Sequence, residues 1–268
     1  MSKIYFRADG NSQIGLGHIF RSLALATMLK NDFECIFVIR NPLDTLKPKI
    51  QAVANLIELP EPTDELEEAT HLVNSYLSEQ DIVVLDGYHF KTSYQEVIKT
   101  AGVKLVSIDD IYECHFLSDA IINHAGGITP DYYNNQFYTQ FYLGLNYLLL
   151  RPVFLEAAQT PYTKTDTNNI FICMGGADTN NNTIDILHKI EQKWTADDIT
   201  CYVVIGQAYL HKKELENVIA DSSLTIKVLS NLSAEQMLYY MQLCPIAICP
   251  PSGITFEYLC TAGALYLY

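Results

Sequence analysis

The stretch KIYFRADGNSQIGLGHIFR, from Lys3 to Arg21, decides how the chain is read. Lys3–Ala8 is a strand-length apolar run. A polar loop follows from Asp9 to Gly17 and carries Gly15 and Gly17. From His18 to Lys30, Ile19, Leu23, Ala26 and Leu29 recur at spacings of three and four, which predicts a helix. Strand, glycine-bearing loop and helix in that order open a Rossmann-like unit. Working outward, strands are predicted at Glu34–Ile39, Ile82–Leu85, Lys104–Ile108 and Ala120–Asn123. Helices are predicted at Asp64–Leu77 and Ser93–Thr100. From Gly126 to Tyr147 the chain is rich in Tyr, Asn and Gln and reads as irregular. The theme restarts at FICMGGAD, Phe171–Asp178. Here strands are predicted at Ile170–Met174, Thr200–Ile205, Leu224–Val228 and Ile246–Cys249. Helices are predicted at Asn182–Gln192, Lys212–Ala220, Ala234–Gln242 and Gly253–Cys260. The pattern predicts an α/β fold with mostly parallel sheets, in two Rossmann-like domains, 1–155 and 165–268. The polar stretch Thr160–Asn169 is the expected linker. Ala264–Tyr268 reads as a further apolar strand with no helix after it, so the second domain is expected to be cut short.

Composition narrows the function classes. The 268 residues are 49% hydrophobic and 18% charged, which excludes a disordered chain. No apolar run approaches the ~20 residues of a membrane span. The net charge is −14, from 31 acidic and 17 basic residues. That balance argues against a general nucleic-acid binder or an anionic-membrane binder, since both rely on basic surface. An anionic ligand would have to be held by local groups. The seven cysteines are scattered without a C-x-x-C and read as buried free thiols of a reducing compartment. Met1–Phe6 runs straight into a strand without a signal-peptide pattern, so a cytoplasmic location is expected.

Three turns could carry chemistry. Gly15 and Gly17 let the backbone approach a ligand and point N–H groups at an anion. The third glycine of the dinucleotide fingerprint is missing near Phe20, and Arg40 and Asn41 stand where its acid would be, so NAD binding is disfavoured. His18 falls on the first turn of the helix, where the dipole disfavours an imidazolium. A neutral imidazole there can serve as a general base, or simply as a capping group. The second turn is Gly175-Gly176, which suits a phosphate held by backbone N–H groups, although a tight turn explains one glycine. The third is Ser252-Gly253, with Ser252 expected to cap the helix. Glu257 lies one turn inside that helix, either as a helix-dipole carboxylate or as an acceptor for ribose hydroxyls. The other strand ends supply Asp86, Tyr88, His89, Asp109 and Asp110, where ligands of open α/β sheets bind. Those acids also admit Mg²⁺, but they lie on different strands and cannot be paired from sequence. His71, His115, His124, His188 and His211 read as structural or surface residues.

On these residues the chain resembles the UDP-sugar hydrolases of pseudaminic acid biosynthesis. The resemblance rests on Ile14-Gly15-Leu16-Gly17-His18-Ile19-Phe20-Arg21, Leu85-Asp86-Gly87-Tyr88, Ile108-Asp109-Asp110, Leu150–Phe154, Ile172–Asp178 and Ser252-Gly253 with Glu257. It spans nearly the whole chain in order, and the wider relatives are the GT-B class. The resemblance implies two domains facing across a cleft and hydrolysis of UDP-2,4-diacetamido-2,4,6-trideoxy-β-L-altropyranose, with inversion and without metal or cofactor. It implies His18 as the base that activates water, with Gly15, Gly17 and Arg21 in the same loop motif. Asp86 and Tyr88 would line the sugar pocket. Gly175-Gly176 and Ser252-Gly253 would hold the pyrophosphate, and Glu257 the ribose. A UDP-sugar is the implied partner, acting on a monomer. Ser22 departs from the Cys or Asp of many relatives, and the relatives continue into an Asn-Gln segment beyond the last strand. A glycosyltransferase of the same architecture and a non-catalytic sugar-nucleotide binding module are the alternatives.

Overall fold

The computed structural model describes residues 2–10, 15–61, 64–160, 162–163, 168–194, 199–206 and 208–268. Part of the expected Asp9–Gly17 loop (11–14) and of the expected linker (161 and 164–167) lies outside the described residues. The elements follow in chain order: β1 Lys3–Ala8, α1 Gly17–Leu29, β2 Glu34–Arg40, α2 Lys47–Gln51, β3 Asn55–Leu59, α3 Glu65–Ser75, β4 Ile82–Asp86, α4 Thr92–Lys99 and β5 Lys104–Ile108. Then come β6 His115–Phe116, β7 Ala120–Asn123, β8 Asn134–Asn135, β9 Gln140–Leu143, α5 Pro152–Gln159, β10 Asn169–Ile172 and α6 Asn182–Lys193. The last are β11 Thr200–Ile205, α7 Lys212–Asp221, β12 Thr225–Ser230, α8 Ala234–Leu243, β13 Ile246–Cys249, α9 Gly253–Leu259 and β14 Ala264–Leu267. The chain divides into two compact units, Met1–Asp9 with His18–Leu149, and Gly10–Gly17 with Leu150–Tyr268.

The first unit holds a seven-stranded sheet in the order β3-β2-β1-β4-β5-β7-β9, parallel throughout. A parallel sheet is covered on both faces, so its central strands read as nearly continuous apolar runs. β1 shows this, with every residue after Lys3 buried. Tyr5, Ile36, Val38, Val83, Leu85 and Leu105 form one face with Ala69 and Leu72 of α3 and Tyr94 and Ile98 of α4. Asp64 caps α3 by accepting from Glu67 N at 2.8 Å, which satisfies one free N–H of the first turn.

The second unit repeats the arrangement in the order β12-β11-β10-β13-β14, again parallel. Alternate residues of the strands feed two cores. Ile170, Ile172, Cys201 and Val203 pack with Ile186, Leu187 and Ile190 of α6 and Leu215 of α7. Phe171, Cys173, Tyr202 and Val204 pack with Phe154 of α5, Met241 of α8 and Tyr258 of α9. All seven cysteines are free, five of them buried. Both sheets reverse order beside their first strand, between β1 and β4 and between β10 and β13. Ligands of open α/β sheets bind outside the carboxyl ends of the strands at such points.

Two regions of the first unit depart from the sequence expectation, and in the second unit α5 forms where no helix is predicted. The sequence predicts no element over 41–63, yet α2 and the edge strand β3 form there. Pro48 stands in the first turn of the five-residue α2, too short for a periodic signal, and β3 (NLIEL) does not alternate strictly. The stretch 126–147 was expected to be irregular. It supplies β9, whose Tyr142 is exposed, at the outer edge of the sheet. Edge strands bury little, so their apolar pattern is weak.

Candidate active site

In the first unit, the switch point gathers side chains from α1, β4 and the turn after β5. His18 and Asp86 are buried, at 6% and 0% exposure. Asp86 Oδ1 lies 2.7 Å from His18 Nδ1. At that distance from a carboxylate, Nδ1 must carry the hydrogen, which leaves the lone pair on Nε2. Arg21, one turn along α1, donates Nη2 to Asp86 Oδ1 at 2.6 Å and Nε to Oδ2 at 2.8 Å. Its Nη2 also lies 3.1 Å from Nδ1. Because that nitrogen already holds the hydrogen for Asp86, this is a contact and not a second hydrogen bond. Ser22 Oγ donates to Asp86 Oδ2 at 3.0 Å, and Arg21 Nη1 to Asp110 Oδ2 at 2.9 Å.

The electrostatics follow. Burial alone would raise the Asp86 carboxyl, but the Arg21 guanidinium and the His18 contact outweigh it and hold the group below the usual carboxylate range. Asp86 therefore stays ionised and keeps the imidazole in one tautomer. The Tyr88 ring meets the His18 ring edge-on, with centroids 4.8 Å apart. Burial first, and the Asp110 carboxylate second, push the Tyr88 phenol up to about 12. It remains a neutral donor. His124, just beyond the end of β7, lies within electrostatic reach of Arg21, Asp110 and Asp86, and burial pushes its imidazole down.

A second buried network braces β1 ahead of the loop. Arg7, 1% exposed, donates Nη1 and Nη2 to the two oxygens of Asp9 at 2.6 and 2.7 Å. Its Nε and Nη2 reach Glu68 of α3 at 2.7 and 3.0 Å. Arg40, at the end of β2, reaches Asp9 with Nη2 at 3.0 Å and with its backbone N at 3.0 Å. Arg40 Nε also lies 3.1 Å from Glu68, and Tyr94 OH donates to Glu68 at 2.8 Å.

In the second unit, the glycine turns divide by need. Gly15 and Gly175 take positive φ, +82° and +83°, which favours glycine. Gly17, Gly176 and Gly253 do not. A Cβ on Gly17 or Gly253 would meet no described atom within 4 Å, and one on Gly176 would make only ordinary contact at 3.7 Å. The backbone of Gly176 is nonetheless crowded from one side. A Cβ on Gly206, after β11, would fall 2.2 Å from the Gly176 carbonyl oxygen. Gly206→Ala is therefore expected to destabilise by about 1–3 kcal/mol, read as a lower urea midpoint at unchanged m-value.

One sequence expectation needs correction here. Ser252 stands at the N-cap of α9 but makes no side-chain cap hydrogen bond. In its extended conformation only its backbone engages: its carbonyl accepts from Thr255 N at 3.0 Å and its N–H donates to Pro250 O at 2.7 Å, while Thr255 Oγ1 donates to the same carbonyl at 2.7 Å. The first turn of α6 is capped by an acid of the chain's own. Asp178 accepts from Asn182 N and Thr183 N, both at 2.9 Å. Gly175 N also interacts with the Cys173 sulfur. Glu257 is buried at 8% exposure, and Arg151 forks onto it with Nε to Oε1 and Nη2 to Oε2, each at 2.7 Å.

The structure thus brings His18, Arg21, Asp86 and Tyr88 together in the first unit. Gly15, Gly17, Gly175, Gly176, Ser252, Gly253 and Glu257 belong to the second. Asp86 is taken up by His18, Arg21 and Ser22 rather than open to a ligand. Among the described residues, no group of three or more His, Cys, Asp or Glu is placed to hold a metal ion, and no helix is long and apolar enough to cross a membrane.

Over its full length the chain superposes on MurG of Acinetobacter baumannii with a TM-score of 0.62 at 14% identity, covering 78% of that chain. Over 99% of its length it superposes on Anabaena Alr3699/HepE, solved with UDP-glucose, with a TM-score of 0.62 at 12% identity, covering 80% of that chain. The fold is of the GT-B class. In sequence, the GT-B chain is 31% identical over 195 residues to the UDP-2,4-diacetamido-2,4,6-trideoxy-β-L-altropyranose hydrolase of Campylobacter jejuni, covering 70% of this chain and 65% of the relative. It is 28% identical over 210 residues to the spore coat polysaccharide biosynthesis protein SpsG of Bacillus subtilis, covering 77% of this chain and 60% of the relative. The chain spans less than two thirds of the length of either relative. No protein-family model matches it.

Sequence reasoning missed several residues of this site. Ser22 was seen only as a departure from relatives, yet it donates to Asp86. His124 reads from sequence as structural or surface, yet it lies within electrostatic reach of the Arg21 cluster because β7 runs beside β5. Arg151 carried only motif resemblance. Its partner is 106 residues away, so no local pattern could signal the pair.

Proposed function

We infer that the chain acts on a UDP-linked sugar and hydrolyses a UDP-2,4-diacetamido-2,4,6-trideoxy sugar to UDP and the free sugar. The observation that carries this reading is the buried His18–Asp86 pair at 2.7 Å, on a chain similar to the C. jejuni hydrolase. Asp86 accepts the Nδ1 hydrogen, so Nε2 is the basic atom. Nε2 takes a proton from water as the water oxygen bonds to the anomeric carbon. The bond from that carbon to the UDP oxygen breaks on the opposite face, and UDP leaves with the electron pair. One displacement gives inversion and needs no covalent intermediate. Arg21 supports the step by keeping Asp86 ionised. Tyr88 is the donor placed to orient the sugar.

The second unit is read as the nucleotide site. Gly176 and the Ser252-Gly253 turn supply backbone groups for the pyrophosphate, with Gly15, Gly17 and Gly175 shaping the loops. Glu257 supplies acceptors for the ribose. This arrangement suits the net charge of −14, because neutral backbone donors can bind an anion without a basic surface.

The test is release of UDP from the diacetamido sugar nucleotide with no acceptor added, run in ¹⁸O-labelled water. Label is expected in the sugar. Label in UDP would replace anomeric attack with attack at phosphorus. UDP release that requires an acceptor would favour a glycosyltransferase, and UDP binding without turnover would leave a binding module.

A further inference from the structure

The turn that carries Tyr88 is held by its side chains more than by its own backbone. It follows β4 in the first unit, and its closing hydrogen bond, from Phe90 N to Gly87 O, is long at 3.4 Å. Phe90 is buried in the core, and Gln95 Nε2 donates to its carbonyl at 3.0 Å. The His89 ring lies against the Phe90 ring, with centroids 3.9 Å apart. Both rings close over Gly87, where a Cβ would fall 2.9 Å from Phe90 Cε2 and 3.0 Å from His89 Cε1. His89 Nε2 is shut off from solvent, makes no hydrogen bond to a described residue, and lies 3.5 Å from Asp9 Oδ2. Asp9 is a fixed post just after β1, because Arg7 Nη2 and Arg40 Nη2 donate to that same oxygen at 2.7 and 3.0 Å. Those donors leave the imidazole the outer position, which accounts for its longer contact.

We propose that His89 is a positioning residue: its Nε2–H ties the Tyr88 turn to Asp9 and so sets where the Tyr88 phenol stands beside His18. The inference rests on the reading of Tyr88 as the donor to the sugar. A lone pair on Nε2 would face a carboxylate oxygen, so the hydrogen sits on Nε2. Phe90 fixes the turn from its far end only. Tyr88 itself is exposed and meets the His18 ring edge-on, with centroids 4.8 Å apart. His89 follows it directly in the chain, so a swing of the imidazole passes straight to the Tyr88 backbone. A shift of about 1 Å in a group that orients substrate costs up to about 10²-fold in rate. A ring that only filled space against Phe90 would need no polar atom enclosed in the fold and no carboxylate in front of it. An enclosed donor without a partner is costly, and drawing in toward Asp9 relieves that cost.

The experiment measures kcat/KM on the diacetamido sugar nucleotide, UDP affinity and thermal unfolding for His89→Asn and His89→Gln, each alone and combined with Tyr88→Phe. The glutamine amide nitrogen reaches the place of the imidazole Nε2, whereas the asparagine amide stops short of it. His89→Asn is expected to lower kcat/KM about tenfold or more with UDP affinity within about twofold, and His89→Gln to stay within about threefold of wild type. With Tyr88→Phe in place, His89→Asn is expected to cost no more than about twofold, because the tie acts through the phenol. A folded His89→Asn with the wild-type kcat/KM overturns the proposal. So does an equal cost in both backgrounds, or an equal loss in the asparagine and glutamine variants. ¹⁵N NMR of the wild-type imidazole is expected to show the hydrogen on Nε2. A bare Nε2 overturns the proposal even if the asparagine variant does not fold. A wild type that turns over no diacetamido sugar nucleotide removes the hydrolase reading, and the ring-nitrogen spectrum then decides the tie to Asp9 by itself.

Discussion

His18→Asn is expected to lower kcat by about 10²–10⁴-fold, the usual contribution of a positioned general base, while changing UDP affinity by no more than about twofold. The division follows from where the groups sit. His18 belongs to the first unit, whereas the residues read as binding UDP belong to the second. Asparagine can still donate an N–H toward Asp86, so the buried carboxylate keeps a partner and the site keeps its shape. It cannot accept a proton from water. Steady-state turnover beside UDP titration checks the prediction. Turnover within tenfold of wild type would remove His18 from the base role, and a parallel loss of UDP affinity would point to a disturbed fold instead.

Arg7→Met is expected to cost about 3–5 kcal/mol of stability at pH 7, because it strips a buried guanidinium from two buried carboxylates. Arg40 remains beside both Asp9 and Glu68, which places the value toward the lower end. The pH dependence distinguishes this cause from a packing defect. In the wild type, burial alone would raise the Asp9 carboxyl, but His89, Arg7 and Arg40 outweigh it and hold the group far below its ordinary value. Glu68 is held down in the same way, chiefly by Arg7. Their stabilisation is complete above the unfolded carboxylate range and is lost as pH falls through the lower folded values. In the variant the two groups are buried with less positive charge, so their folded values rise. Its stability then improves, relative to wild type, as pH drops from 7 toward 4. Urea unfolding across that window should show the gap closing. A gap independent of pH would mean that lost packing of the Arg7 stem, not charge, carries the effect.

Much of the fold was legible because the central strands are buried on both faces. β1, β4, β5, β10, β11 and β13 are apolar runs ended by polar turns, and the helices between them keep a periodic stripe. The edges were not legible. β3 (NLIEL) and β9 (QFYL) are short and bury little, and neither is a continuous apolar run. In the site, position along the chain pointed to His18, Asp86 and Glu257, because they follow or end strands at the two switch points. The partnerships were hidden. Asp86 lies 68 residues from His18, and Arg151 lies 106 residues from Glu257, so the pairs exist only once the sheets have formed. The Ser252 cap failed for a local reason. The right residue type stands at the N-cap, but its extended backbone gives the side chain no partner there.

The Asp178 carboxylate at the start of α6 has a consequence for the chain's chemical surroundings. A helix start with open N–H groups attracts any small oxyanion, and inorganic phosphate is abundant in cells. Here the first-turn donors of α6 are plugged by the chain's own acid. Loose phosphate therefore finds no ready seat on that helix. On the proposed reading, occupancy of the second unit depends on the rest of the nucleotide, and small free anions compete with it poorly.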